Sequence, residues 1–148
     1  MIFKKQWARE YFVLLFCLAT SAGNAFAFSD IAFITVDELK ARLDRNDSIL
    51  IIDVRTTDDF IGADTKIATA IHIRSRRLQA RLAVPPLKDI PRDKDIVVYC
   101  ACANEETSIR GARTLLAAGF KRVRVLKGGW RAWLAASGPV EQNPKVRP

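Results

Sequence analysis

Two cysteines one residue apart, Cys100 and Cys102, are the side chains of this 148-residue chain best suited to nucleophilic chemistry. They stand in the segment Tyr99-Cys100-Ala101-Cys102-Ala103-Asn104-Glu105-Glu106-Thr107-Ser108. A thiolate attacks sulfur electrophiles, exchanges with disulfides and binds soft metals. The apolar run DIVVY, residues 95–99, reads as a buried strand, so Cys100 falls at its carboxyl end just before a helix. A cysteine so placed has loop N–H groups aimed back at its sulfur, and those donors with the helix dipole stabilise a thiolate and a bound anion. Asn104 is the expected N-cap, Glu105 and Glu106 open the first turn, and Ala101, Ala103 and Thr107 complete the loop. The plainer alternative is a pair of small buried cysteines in the core. A metal site is a poor fit, because two thiolates and one histidine in the whole chain fall short of a complete ligand set.

The elements that must hold this segment alternate between strand and helix signals. Residues 36–45 (VDELKARLDR) put Val36, Leu39 and Leu43 on one helical face, with Asp37 and Glu38 in the first turn. Residues 48–54 (SILIIDV) form an Ile-rich run too short for a helix, which reads as a buried strand. A turn and short helix follow over 56–62, a short strand over 70–73, and a basic helix over 74–83 closed by Pro85-Pro86. After the cysteines, residues 108–118 are amphipathic and stop at Gly119, residues 122–126 (RVRVL) alternate as a strand, and 130–136 make a last helix. Such alternation predicts an α/β fold, a central parallel sheet with helices on both faces, whose ligands sit beyond the carboxyl ends of the strands. Residues 140–148 lack apolar periodicity and read as a loose tail.

The amino terminus has a different character. Lys4, Lys5 and Arg9 precede the mostly apolar run 11–20, and small residues lead to Ala25-Phe26-Ala27, an A-x-A cleavage pattern. The apolar run is about half of what a membrane span needs, so residues 1–27 read as a signal peptide cleaved after Ala27, with periplasmic delivery and no stable membrane span afterwards. Cleavage also removes Cys17, leaving Cys100 and Cys102 in an oxidising compartment. Taking Lys4, Lys5, Arg9 and Glu10 from the 24 basic and 16 acidic residues lowers the net charge from +8 to +6. A surplus of that sign suits anionic substrates. Export argues against nucleic acid as the partner of Arg74, Arg76, Arg77 and Arg81, whose plain reading is a solvated helix face. With 49% hydrophobic and 27% charged residues the chain is a globular rather than a disordered sequence, and it needs no disulfide framework to fold.

Four ordered landmarks between residues 34 and 139 resemble the rhodanese domain. They are Leu50-Ile51-Ile52-Asp53-Val54-Arg55 with Asp59-Phe60, then Ile67-Ala68-Thr69-Ala70-Ile71-His72-Ile73, then Val97-Val98-Tyr99-Cys100, then Leu126-Lys127-Gly128-Gly129-Trp130-Arg131-Ala132-Trp133. The resemblance implies a single rhodanese-like domain and sulfurtransferase chemistry without a cofactor. The Cys100 thiolate would attack the outer sulfur of a donor such as thiosulfate, become a persulfide, and pass that sulfur to a thiol. The loop from Ala101 to Thr107, with its amides, would hold the persulfide and the anionic leaving group. The resemblance also implies that Asp53 hydrogen-bonds near this loop and that Arg55 pairs with an acid such as Asp59. Partners on this reading are a small sulfur-containing anion or thiol, and another exported sulfur-handling protein.

The loop departs from the family pattern. It carries neither the arginines nor the glycine common after the cysteine, and Glu105 and Glu106 would raise a nearby thiol pKa and repel an anion. Strand register places the nucleophile at Cys100, whereas counting back from Gly119-Phe120 places it at Cys102. The Cys-x-Cys-x-Asn-Glu loop is similar to that of a rhodanese subgroup, which makes both cysteines candidates. A phosphatase loop needs a closing arginine, and Glu106 and Ser108 occupy the two positions where it would stand. Two further functions stay open: a non-catalytic module that binds a partner or a sulfur compound, and a thiol–disulfide protein in which Cys102 resolves Cys100. His72, Trp130 and Trp133 read as structural, the tryptophans as one buried helical face.

Overall fold

The structure is a computed structural model and describes residues 30–144. The signal peptide expected over 1–27, with Cys17, lies outside the described residues. In chain order the elements are β1 (Ala32–Ile34), α1 (Val36–Asp44), β2 (Ile49–Asp53), α2 (Thr57–Gly62), β3 (Thr65–Ile67) and β4 (Ile71–His72). There follow α3 (Ser75–Arg81), β5 (Asp95–Tyr99), α4 (Glu106–Ala117), β6 (Arg122–Leu126), α5 (Gly129–Ala135) and β7 (Val140–Gln142).

Five strands form one parallel sheet in the order β1-β6-β5-β2-β4. The central strand β5 is apolar almost throughout, as a strand covered on both faces must be. Its residues alternate between two cores. Ile96, Val98 and Cys100 pack with Leu78 of α3 and Ala112 and Leu115 of α4, while Val97 and Tyr99 pack with Leu39 of α1 and Trp130 and Trp133 of α5. The expected α/β fold with helices on both faces is therefore observed. Leu39, Leu78 and Leu115 are fully buried, and truncation of such a leucine to alanine costs about 2–5 kcal/mol.

Local signals fix the helix ends. Thr35 caps α1 by accepting from Glu38 N at 3.2 Å, and Thr56 caps α2 by accepting from Asp59 N at 3.1 Å. Gly111 lets α4 settle against the sheet: a Cβ there would lie 3.3 Å from Val98 and 3.4 Å from Val54. That close approach sets the height of α4 over the end of β5.

Three expectations need correction. Residues 140–142 are not loose tail but strand β7, antiparallel to β3, with Lys66 opposite Glu141. Helix α4 starts at Glu106, and its cap is Glu105 in the left-handed region (φ 53°) rather than Asn104. The strand expected over 70–73 contracts to Ile71–His72.

Candidate active site

Strand β5 ends at Tyr99 and delivers Cys100 to the carboxyl edge of the sheet, between β2 and β6. Its main chain is locked on both sides. Val54 N donates to Tyr99 O at 2.9 Å, and Trp130 N donates to Cys100 O at 2.8 Å. Gly129, with φ 52°, makes the second contact feasible, because a Cβ there would collide with the Cys100 carbonyl. The sulfur lies 3.4 Å from Ser108 Oγ on α4, and that hydroxyl donates to Glu105 O at 2.9 Å.

Cys100 and Cys102 form a disulfide, with their Cα atoms 5.7 Å apart. Cys100 is 2% exposed, whereas Cys102 is half-buried at the pocket wall. Of the two alternatives for the nucleophile, strand register thus places Cys100 directly after the last residue of β5 and Cys102 two residues further into the loop. Among the described residues the hydrogen-bonding neighbour of the Cys100 sulfur is Ser108, not a loop amide.

The two glutamates do not face the pocket. Glu105 turns its carboxylate to accept from Gly128 N at 2.6 Å, tying the loop after β5 to the turn after β6. Glu106 is exposed and lies 3.3 Å from Arg110. Ala103 and Asn104 are exposed at the loop tip, Ala101 and Thr107 are half-buried, and Ala101, Cys102 and Thr107 line the pocket.

Beneath the site lies a buried polar network. Arg55 grips Asp53 through Nε at 2.9 Å and Nη2 at 2.7 Å, and Nη2 also donates to Thr65 O at 2.9 Å. Tyr99 donates to Asp53 Oδ2 at 2.8 Å and accepts from Ile67 N at 3.2 Å. The expected pairing of Arg55 with Asp59 is not formed, because Asp59 serves the Thr56 cap and Arg55 folds back onto Asp53. Asp53 likewise bonds to Arg55 and Tyr99 rather than to the loop. Burial, then the Asp53 charge, push the Tyr99 phenol above its ordinary range, so it stays a neutral donor. The Arg55 guanidinium lies 4.5 Å from the centroid of the Trp130 ring, 5.3 Å from that of Phe60 and 5.7 Å from that of Tyr99. His72 stacks on Phe60 with ring centroids 3.8 Å apart, the structural role expected of it.

Arg55 is 1% exposed, and its Nη1 has no hydrogen-bond partner. It lines a pocket of about 300 Å³ together with Thr56, Asp59, Cys100, Cys102 and Arg131. Beside it opens a second cavity of about 740 Å³ that shares Arg55, Thr56 and Thr107, and Arg74, Arg76, Arg77 and Arg110 also line it. Asp58 is the acid on that wall. The helix whose plain reading is a solvated basic face, with attraction for anionic donors as a secondary role, therefore borders the cysteine site. Arg131 and Ser108 escaped sequence reasoning; the Trp-Arg-Ala-Trp helix start placed one beside the site, but nothing in the sequence showed which way its side chain faced. Among the described residues no group of three or more His, Cys, Asp and Glu is placed to hold a metal ion.

A buried cysteine at a sheet's carboxyl edge, beside guanidinium groups, suits attack on an anionic sulfur compound. A family model described as Rhodanese-like domain matches residues 35–136. A protein of Allochromatium vinosum named Sulfurtransferase is 28% identical over 104 residues, covering 70% of this chain and 89% of that one. Thiosulfate sulfurtransferase 18 of Arabidopsis thaliana is 27% identical, covering 87% and 99%. The solution structure of a rhodanese-like domain from an Anabaena protein superposes with a TM-score of 0.63 at 28% identity, covering 80% of this chain and 85% of that domain.

Proposed function

The chain belongs to the rhodanese-like domain family, and from that premise we propose that it moves a sulfane sulfur from an anionic donor, thiosulfate or a persulfide, to a thiol through a persulfide on Cys100. The observation that carries this reading is the Cys100 sulfur at the end of β5, in the wall of a pocket that also holds Arg55 and Arg131. The acting species is the dithiol form. Its Cys100 thiolate attacks the outer sulfur of thiosulfate, an S–S bond to Cys100 forms, and sulfite leaves with the electron pair of the broken bond. Arg131 and the unpartnered Arg55 Nη1 would receive the charge of donor and leaving group. An acceptor thiolate then takes the outer sulfur and restores Cys100. The name of the Arabidopsis relative supports thiosulfate as donor. Delivery to the periplasm by residues 1–27 is part of the proposal, supported by the basic start and the Ala25-Phe26-Ala27 pattern.

Intact-mass and peptide analysis of the reduced protein after thiosulfate or polysulfide tests the proposal. One added sulfur on the Cys100 peptide is expected, absent in Cys100→Ser. No adduct with either donor would overturn the enzyme reading and leave a non-catalytic module. The Cys100–Cys102 disulfide favours a second reading, a thiol–disulfide protein.

A further inference from the structure

Cys102 has no part in the transfer just described, yet its sulfur is bonded to the atom that carries it. Cys100 is fixed by its place beyond β5, by the Trp130 N–H on its carbonyl and by Ser108 on its sulfur. Cys102 lies on the loop between that strand and α4, half-buried and in the pocket wall. The disulfide places the Cys102 sulfur within bonding reach of Cys100 Sγ, the inner sulfur of a Cys100 persulfide. An attacking thiol so close competes with any acceptor that must first diffuse in, as an intramolecular group does at high effective concentration.

We infer that Cys102 is a resolving thiol: it displaces the outer sulfur from a Cys100 persulfide as hydrosulfide and leaves the Cys100–Cys102 disulfide. This gives the protein a second activity, reduction of sulfane sulfur to sulfide, and it rests on the persulfide reading above. In the step the Cys102 sulfur forms a bond to Cys100 Sγ, and the bond between Cys100 Sγ and the outer sulfur breaks. The outer sulfur departs with that electron pair and accepts the proton from Cys102, so it is reduced to sulfide while the two cysteines are oxidised to the disulfide. A dithiol reductant closes the cycle by thiol–disulfide exchange and is itself oxidised to a disulfide. Its point of attack is Cys102, the more accessible of the two sulfurs, and the leaving group is then Cys100, returned as the thiolate that begins the next turnover. On this scheme the Cys100–Cys102 disulfide is the product of each sulfide-releasing turnover.

Single-turnover chemistry on the full chain tests this. The protein is reduced, freed of reductant and treated with one equivalent of thiosulfate, whose own leaving group is sulfite, without acceptor thiol; sulfide is then assayed and the cysteine peptides are weighed. The wild type is expected to release sulfide in stoichiometric yield and to end with Cys100 and Cys102 joined, two hydrogens lighter than the reduced protein. In Cys102→Ser sulfide release is lost and the added sulfur stays on Cys100; Cys102→Ala gives the same result and controls for the serine hydroxyl. A wild-type protein that keeps the sulfur on Cys100 and releases no sulfide would overturn the inference and leave the transferase reading standing. Equal sulfide from wild type and both variants would also overturn it. If Cys102→Ser and Cys102→Ala, shown folded by circular dichroism, take no sulfur from thiosulfate or inorganic polysulfide, the persulfide reading fails and this inference with it.

Discussion

At the scale of single residues, Arg55 joins the buried scaffold to the pocket. Its fork neutralises Asp53, a fully buried carboxylate, and its remaining donor has no protein partner. Replacing Arg55 by methionine keeps the bulk but removes the guanidinium that pairs with the fully buried Asp53, which should destabilise the fold by about 3–5 kcal/mol in urea unfolding. Arg55→Lys retains the charge without the planar fork, so a smaller loss is expected. A loss as small as that of an exposed arginine would mean that Asp53 has another source of compensation. The sequence made Cys100 legible, because an apolar strand of five residues ends just before it, and the family resemblance marked Asp53 and Arg55 as charges with separate partners, the loop for one and Asp59 for the other. Their true partners were not legible. Whether an arginine reaches forward to the next helix or folds back along its own strand depends on which acids the neighbouring caps have already engaged, and Thr56 engages Asp59. The acidic loop misled for a related reason: Glu105 is a tie to Gly128, visible only once β5 and β6 lie side by side.

At the scale of elements, α3, the turn after β2 and the start of α4 together build the basic cavity. Arg76 and Arg77 have no acidic partner among the described residues and line it. Their charges should draw an anionic donor into the adjoining pocket without touching the reacting sulfur. The double variant Arg76→Ala/Arg77→Ala is expected to raise KM for thiosulfate about fivefold at low salt with kcat unchanged, an effect of about 1 kcal/mol, and the difference should fade as salt screens the charges. An unchanged KM in steady-state kinetics would return these arginines to the role of a solvated face. The long, strongly patterned elements were readable from sequence: β5 and β6 span the residues expected, and α1 and α5 shift by about one residue. Strands β1, β3 and β7 were not readable, since each has three residues and no room for a period. β7 in particular is exposed throughout and owes its form to β3 opposite it.

At the scale of the whole molecule, the two-stranded ribbon of β3 and β7 reinforces the site from outside the main sheet. Thr65 O and Ile67 N of β3 bond to Arg55 and Tyr99, so the ribbon's integrity bears on the network under Cys100. Lys66 and Glu141 lock the ribbon across its centre, and Glu141 also accepts from Thr69 N at 3.0 Å. The hydrogen bond from Lys66, then that from Thr69, hold the Glu141 carboxyl below its ordinary value of 4.5. A carboxyl whose pKa is depressed by folding stabilises the fold above its unfolded value, and that contribution disappears as pH falls through the folded value. Thermal unfolding should therefore show wild-type stability declining as pH falls below the ordinary carboxyl value of 4.5, with part of that decline removed in Glu141→Gln. At pH 7 the variant should be less stable than wild type, and the two should converge in acid as the wild-type carboxyl takes up its proton. Parallel pH profiles would place the acid sensitivity elsewhere. Because the ribbon supports Arg55, the variant should also accept sulfur on Cys100 more slowly at pH 7 than wild type, which links the ribbon's ion pair to the buried thiol through two hydrogen bonds.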